Sequence, residues 1–186
     1  GKILATGNFT NYNGGAINRL IRIDSVGNRD LSFAPGTGLN LSCNTIFMDN
    51  DQKIYVGGTF TTVDSFARIR LARLLPSGKV DQSFFNNSKL NSQIFGIGFQ
   101  SDGKAILGGQ FTKYNQTNTN RIARFNLDGS LDNTFQSGIG ANNIIRSVVV
   151  LPDDKILIGG DFTNYNGTPI NRIARLNANG TLDNTF

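Results

Sequence analysis

The sequence predicts an all-β chain made of consecutive blades of a β-propeller, and three observations carry that reading. One phrase recurs four times at a spacing of 51 residues, opening at Lys2, Lys53, Lys104 and Lys155 as KILATGNFT, KIYVGGTFT, KAILGGQFT and KILIGGDFT, with no insertion or deletion. Each unit holds four short extended segments separated by turn residues, and no stretch has a helical period. There are 22 Gly, 24 Asn and 14 Phe but no Glu, His or Trp, a balance that disfavours helix and suits strands joined by turns.

The fourth unit displays the elements most completely. Ile144 to Leu151 is a β-branched run, Pro152-Asp153-Asp154 a turn, and Lys155 to Phe162 a second strand that contains Gly159-Gly160. Residues 163–169 read as a longer polar loop. Arg172 to Asn177 alternates charged and apolar side chains, Ala178-Asn179-Gly180 is a tight turn, and Leu182 to Phe186 is a short last strand. Four-stranded antiparallel units that must cover one another's apolar faces are the blade pattern of a propeller. The units divide as a partial blade at 1–42 and blades at 43–93, 94–144 and 145–186. With 186/51, about 3.6 units, these blades are expected to belong to a larger ring, for instance a seven-bladed one.

Columns of identical residues run through the units. Phe9, Phe60, Phe111 and Phe162, with Phe33, Phe84, Phe135 and Phe186, hold eight of the 14 Phe and are the expected filling between blades. The paired glycines, Gly57-Gly58, Gly108-Gly109 and Gly159-Gly160, would weaken an isolated strand and so mark a close approach of another backbone or a bulky side chain. Arg22, Arg73, Arg124 and Arg175 recur with Asp30, Asp81, Asp132 and Asp183.

The phrase in Lys155-Ile156-Leu157-Ile158-Gly159-Gly160-Asp161-Phe162-Thr163-Asn164-Tyr165-Asn166-Gly167, preceded in unit three by Asp102-Gly103-Lys104, closely resembles the delta-60 repeat family of β-propeller units. So does the stretch from Asn120-Arg121-Ile122-Ala123-Arg124 to Asp128-Gly129-Ser130-Leu131-Asp132-Asn133-Thr134-Phe135. The resemblance covers essentially the whole chain. It implies propellers in large, often surface-exposed or secreted bacterial proteins and in some phage proteins, usually with no assigned activity. Two departures stand out: Thr6 replaces the first glycine of the pair in unit one, and Val63-Asp64-Ser65 replaces the Tyr-Asn-Gly loop in unit two. Kelch blades share the double glycine but would be expected to carry a Trp.

The lone Cys43, in an apolar-alternating stretch, reads as a small core hydrophobe with no internal disulfide partner. No run of 18 apolar residues exists to span a membrane. Gly1-Lys2-Ile3-Leu4 lacks the features of a signal peptide and opens in mid-repeat, so a leader would lie upstream. The net charge of +5 and pI near 9.6 raise the question of a polyanion, yet 12 of the 18 Lys/Arg fall in three repeat columns facing Asp columns. Ion pairs between blades are expected instead, and nucleic acid is not expected as a partner. Asp49-Asn50-Asp51 and Asp153-Asp154 do not continue into a spaced calcium ladder and read as turn residues, so no metal site is expected. With no His, no Glu and one buried Cys, there is no triad, no zinc ligand set and no expected catalytic residue or cofactor.

Recognition is therefore expected in loops. Tyr12, Asn13, Tyr114, Asn115, Tyr165 and Asn166 are the candidate ligand-binding residues, since aromatic and amide side chains on a rigid scaffold suit protein or glycan surfaces. The competing reading makes Tyr-Asn-Gly a loop-closing turn. The function expected is a non-enzymatic binding or structural module of a larger extracellular, cell-surface or virion protein, its partners being a protein or glycan surface and the rest of its own chain or partner chains closing the ring. A carbohydrate-active propeller enzyme, using a non-repeated Asp64 or Asp161, and a structural spacer are the alternatives.

Overall fold

A computed structural model describes residues 1–84 and 90–186; residues 85–89, part of the unit-two counterpart of loop 34–42, lie outside that description. Unit one contributes β1 (Ile3–Thr6), β2 (Asn11–Tyr12), β3 (Gly15–Ala16) and β4 (Leu20–Ile23). Unit two contributes β5 (Cys43–Met48), β6 (Ile54–Gly58), β7 (Thr62–Val63), β8 (Phe66–Ala67) and β9 (Leu71–Leu74). Unit three follows with β10 (Ile94–Phe99), β11 (Ala105–Gly109), β12 (Lys113–Tyr114), β13 (Thr117–Asn118) and β14 (Ile122–Phe125). Unit four closes with β15 (Ile145–Val150), β16 (Ile156–Gly160), β17 (Asn164–Tyr165), β18 (Thr168–Pro169) and β19 (Ile173–Leu176). No helix occurs among the described residues.

Each full blade is an antiparallel ladder, β5-β6-β9, β10-β11-β14 and β15-β16-β19, with β1-β4 its two-stranded counterpart. Register repeats with the sequence: Ile54 faces Leu74, Ala105 faces Phe125 and Ile156 faces Leu176. The expected fourth strand shrinks to one bridging residue per unit, Arg29 on Ile23, Val80 on Leu74, Leu131 on Phe125 and Leu182 on Leu176. The cause lies one residue later. The Asp132 carboxylate accepts the N–H of Thr134 at 2.9 Å and its hydroxyl at 2.6 Å, which turns the chain out of the ladder, and Asp30, Asp81 and Asp183 do the same to Ser32, Ser83 and Thr185. A second difference is that loop 163–169 and its counterparts fold as two-residue hairpins, β2-β3, β7-β8, β12-β13 and β17-β18.

Each hairpin ends at an arginine in left-handed conformation, Arg19, Arg70, Arg121 or Arg172, with φ of 63, 68, 75 and 66°. That conformation is costly for a residue with a Cβ. It is held because both backbone groups are engaged: in unit two, Arg70 N–H donates to Phe60 O and its carbonyl accepts from Gly58 N–H, each at 2.9 Å.

The core lies between blades rather than within them. Leu20 and Phe33 of unit one share a cluster with Ile54, Phe60 and Leu74 of unit two; Tyr55, Leu71 and Phe84 join Ile94, Phe111 and Phe125; Ile106 and Ile122 join Ile145, Phe162 and Leu176. The glycine pair makes this contact close. A Cβ on Gly57 would come within 2.9 Å of Ile94 in the next unit, while one on Gly58 would meet the Ser42 carbonyl at 2.2 Å.

Candidate functional site

The repeated polar residues build a joint between blades. Arg73 Nε donates to Asp81 at 2.8 Å with both side chains buried, and the same pair closes at 2.6 Å in unit one, 2.8 Å in unit three and 2.7 Å in unit four. Lys2, Lys104 and Lys155 add a second cation to Asp30, Asp132 and Asp183. The expected ion pairs between blades are corrected on this point: the ion pair stays inside one blade. The neighbour is reached by another arm of the guanidinium, since Arg22, Arg73 and Arg124 donate to the carbonyls of Pro76, Leu127 and Ala178 in the following unit. The same guanidinium lies over the phenylalanine that ends its unit, 4.7 Å from the Phe84 centroid and 5.1 Å from that of Phe135. Arg, Asp, Ser/Thr and Phe at this spacing are thus one interlocked device.

All four carboxyls are held below the usual carboxylate range. In Asp30 the Lys2 ammonium is the largest cause; in Asp183 it is the Thr185 hydroxyl and N–H, then Lys155. For Asp132 and Asp81 burial pushes upward, and hydroxyl, backbone and cationic partners together outweigh it.

Of the tyrosines and asparagines expected to contact ligand, the three asparagines are exposed and the three tyrosines are half-buried or buried. Tyr165 is fully buried in the core of unit four, its hydroxyl donating to Gly180 O at 2.8 Å. Tyr12 is half-buried and donates to Gly27 O at 2.7 Å. Tyr114, also half-buried, meets Phe125 edge-on at 5.3 Å, and burial raises its phenol. Tyr114 and Tyr165, like Val63 in unit two, bridge to Leu90, Ala141 and Leu39 in the connector from the preceding unit. Asn13, Asn115 and Asn166 take the left-handed turn position, with φ of 48, 52 and 47°. Asn166 also reaches back to accept from Ile139 N–H at 3.1 Å, as Asp64 does from Thr37 at 3.0 Å. The Tyr-Asn-Gly phrase stitches one unit to the last. Asp161, a non-repeated acid like Asp64, is clasped by Arg146 with a closest approach of 2.6 Å.

A different place breaks the repeat and is open. The turns joining first and second ladder strands in units two, three and four converge on a groove of about 510 Å³. Its apolar wall is Phe47, Met48, Phe99 and Leu151, and its rim carries Asp49, Asp51, Asp102 and Asp154, with no Lys or Arg in the lining. Phe47 is 38% and Met48 53% exposed. Phe47 lies 4.7 Å from Phe99, which meets Tyr55 at 4.5 Å, and Tyr55 meets the buried Phe84 at 5.6 Å, so the aromatic surface is braced from the core. Three of the acids are fixed by their surroundings: Asp49 accepts from Lys53 N–H, Asp102 from Lys104 N–H, and Asp154 from the N–H and hydroxyl of Ser101. Asp51 has no partner among the described residues. Sequence reasoning passed over this groove, although a signal exists. The adjacent columns Phe47, Gly98, Val149 and Met48, Phe99, Val150 change from unit to unit, whereas Ile46, Ile97, Val148 stays aliphatic.

A family model described as a domain of unknown function (DUF5122) β-propeller matches residues 1–33, 50–84, 100–135 and 151–186, once per unit. The chain belongs to this family of β-propeller repeats. No curated protein matches it.

Proposed function

We propose that the chain is a non-enzymatic binding and structural module: a run of delta-60-type blades, part of a larger ring, within a surface-exposed, secreted or virion-associated protein that engages a protein or glycan surface. The delta-60 assignment rests on the Asp-Gly-Lys opening and the Asn-Arg-Ile-Ala-Arg stretch, as in Asp102–Lys104 and Asn120–Arg124. The observation that carries the binding reading is the groove walled by Phe47, Met48 and Phe99. Repeated residues are consumed in joining blades, so a partner is discriminated where units differ, and there Phe47 and an adaptable Met face solvent with half-buried Phe99 behind them. Catalysis by carboxylates needs a pair with separated proton affinities facing one substrate. Asp64 and Asp161, the acids that such a reading would use, are tied instead to backbone and arginine, Asp64 to Thr37 N–H and Asp161 to Arg146.

The test is a screen of the whole chain against peptide and glycan arrays, repeated with Phe47→Ser/Met48→Ser. Both side chains are partly exposed, so the variant is expected to melt close to the parent while array binding falls at least about tenfold. Equal binding by the variant would place the site elsewhere, and no binding by the parent would favour a structural spacer.

A further inference from the structure

The four units part company at one interior position. Ile17, Arg68, Thr119 and Ile170 are equivalent in the repeat. Ile17 is buried, Ile170 packs on the core of unit four, and Arg68 fills the place with a guanidinium over the Phe66 ring at 5.9 Å. Thr119 is shorter than any of these and only 7% exposed, and its hydroxyl has no hydrogen-bond partner. Beside it lies a pocket of about 150 Å³ between β13, β14 and the bridging segment at Leu131, sharing no residue with the groove.

The chemistry of the walls selects an occupant. Ile122, Leu131 and Phe135 supply apolar surface. The side chains of Asn118, Asn133 and Ser137, also in the lining, are unengaged among the described residues, and each both donates and accepts. The only charged lining groups, Arg124 and Asp132, are paired with each other at 2.8 Å, and Lys104 outside the lining also holds Asp132 at 2.9 Å. A charged ligand finds no unpaired counterion in the lining. A purely apolar one leaves the Thr119 hydroxyl unpaired, which is unfavourable in a buried place. A ring with hydroxyls at its edge and C–H groups on its face meets every wall, and the volume matches cavities that hold a single six-membered ring.

We propose that the pocket beside Thr119 binds one neutral pyranose ring of a glycan, with the Thr119 hydroxyl as its innermost hydrogen-bond partner. Saturation-transfer NMR on the whole chain with neutral methyl pyranosides tests this. Transfer to at least one pyranoside is expected. Affinity should fall about tenfold in Thr119→Val, which removes the hydroxyl and keeps the shape, and transfer should vanish in Thr119→Ile, which fills the space. Both variants should melt at or above the parent temperature, because each replaces an unpaired buried hydroxyl by the apolar character of Ile17 and Ile170; loss of binding therefore cannot come from unfolding. Phe47→Ser/Met48→Ser should leave pyranoside transfer intact, which separates this site from the groove. Water as the sole occupant, seen as no transfer from any pyranoside, or equal affinity in both Thr119 variants, would overturn the assignment.

Discussion

Thr6 of unit one lies beside Cys43 of unit two, with its hydroxyl donating to Arg19 O at 2.7 Å and the thiol hydrogen-bonded to the carbonyls of Thr45 and Gly57. At the same joint one unit on, Gly57 faces Ile94, and after that Gly108 faces Ile145, where a Cβ on the glycine would come within 2.6 Å of the isoleucine. Two irregularities of the repeat are therefore one. The residue that is larger than glycine on one blade is matched by one smaller than isoleucine on the next, and the joint keeps its volume.

This complementarity predicts a coupled pair. Cys43→Ile alone overfills the joint beside Thr6 and should destabilise by about 1–3 kcal/mol. Thr6→Gly alone leaves a gap and a more flexible strand, costing about 1 kcal/mol. Together they recreate the Gly-Ile joint of the later units, so the double variant should be more stable than the sum of the singles by at least about 1 kcal/mol. Urea midpoints of the four proteins measure it; simple additivity would show that the two sites do not compensate.

The Arg–Asp device predicts a second, graded effect. Arg73 and Asp81 are the most buried such pair, with side chains 6% and 7% exposed. Asp81→Asn leaves the guanidinium buried without its counterion and should cost about 3–5 kcal/mol. Asp183→Asn, where Arg175 is 24% exposed, should cost clearly less. Denaturation of the two variants decides it, and an equal cost would show that burial between blades does not set the strength of the pair.

The same carboxyls fix the pH response. Their folded values lie below the ordinary carboxylate value, so the stability they contribute is full above the unfolded value of about 4 and is lost as pH falls toward the depressed folded values. The chain has no His, and burial raises Cys43 and Tyr165, whose contributions persist below their unfolded values. Urea midpoints should thus be level between about pH 5 and 8 and drop steeply below about pH 4. Asp30→Asn/Asp132→Asn/Asp183→Asn should have a lower plateau and a shallower acid limb. A parent midpoint that held steady to pH 2.5 would contradict the assignment.

Much of the architecture was legible because it is repetitive. A 51-residue period, turns at Gly27, Gly78, Gly129 and Gly180, and paired glycines on the second strand each have one physical use, and four copies make them conspicuous. The missing fourth strand was not legible, since Leu182 to Phe186 alternates like a strand and only the carboxylate of Asp183 on the Thr185 N–H bends it away. The burial of Tyr165 was hidden for a related reason: an aromatic residue in a polar loop looks exposed until the hairpin folds back and sends its hydroxyl to Gly180 O. Phe47 and Met48 were hidden by lying inside an ordinary strand pattern, where exposure depends on the neighbouring blade and not on local alternation.

Dependence on the neighbouring blade gives the last prediction. Phe33 is 2% and Phe84 1% exposed, whereas Phe186 at the same repeat position is 57% exposed; likewise Leu71 and Ile122 are fully buried and Ile173 is 52% exposed. Phe33 and Phe135 each lie over the turn glycine of the following unit, Gly78 and Gly180, within 3 Å of where a Cβ would stand. Phe84→Ala should therefore cost about 3–5 kcal/mol, the value for a buried aromatic. Phe186→Ala should cost less than about 0.5 kcal/mol, the range of a surface change. Amide exchange should follow the same order, with β19, where Ile173 is exposed, opening more readily than β9, where Leu71 is buried. Comparable costs for the two phenylalanines would mean that each blade is held by its own ladder, and that the core between blades contributes little.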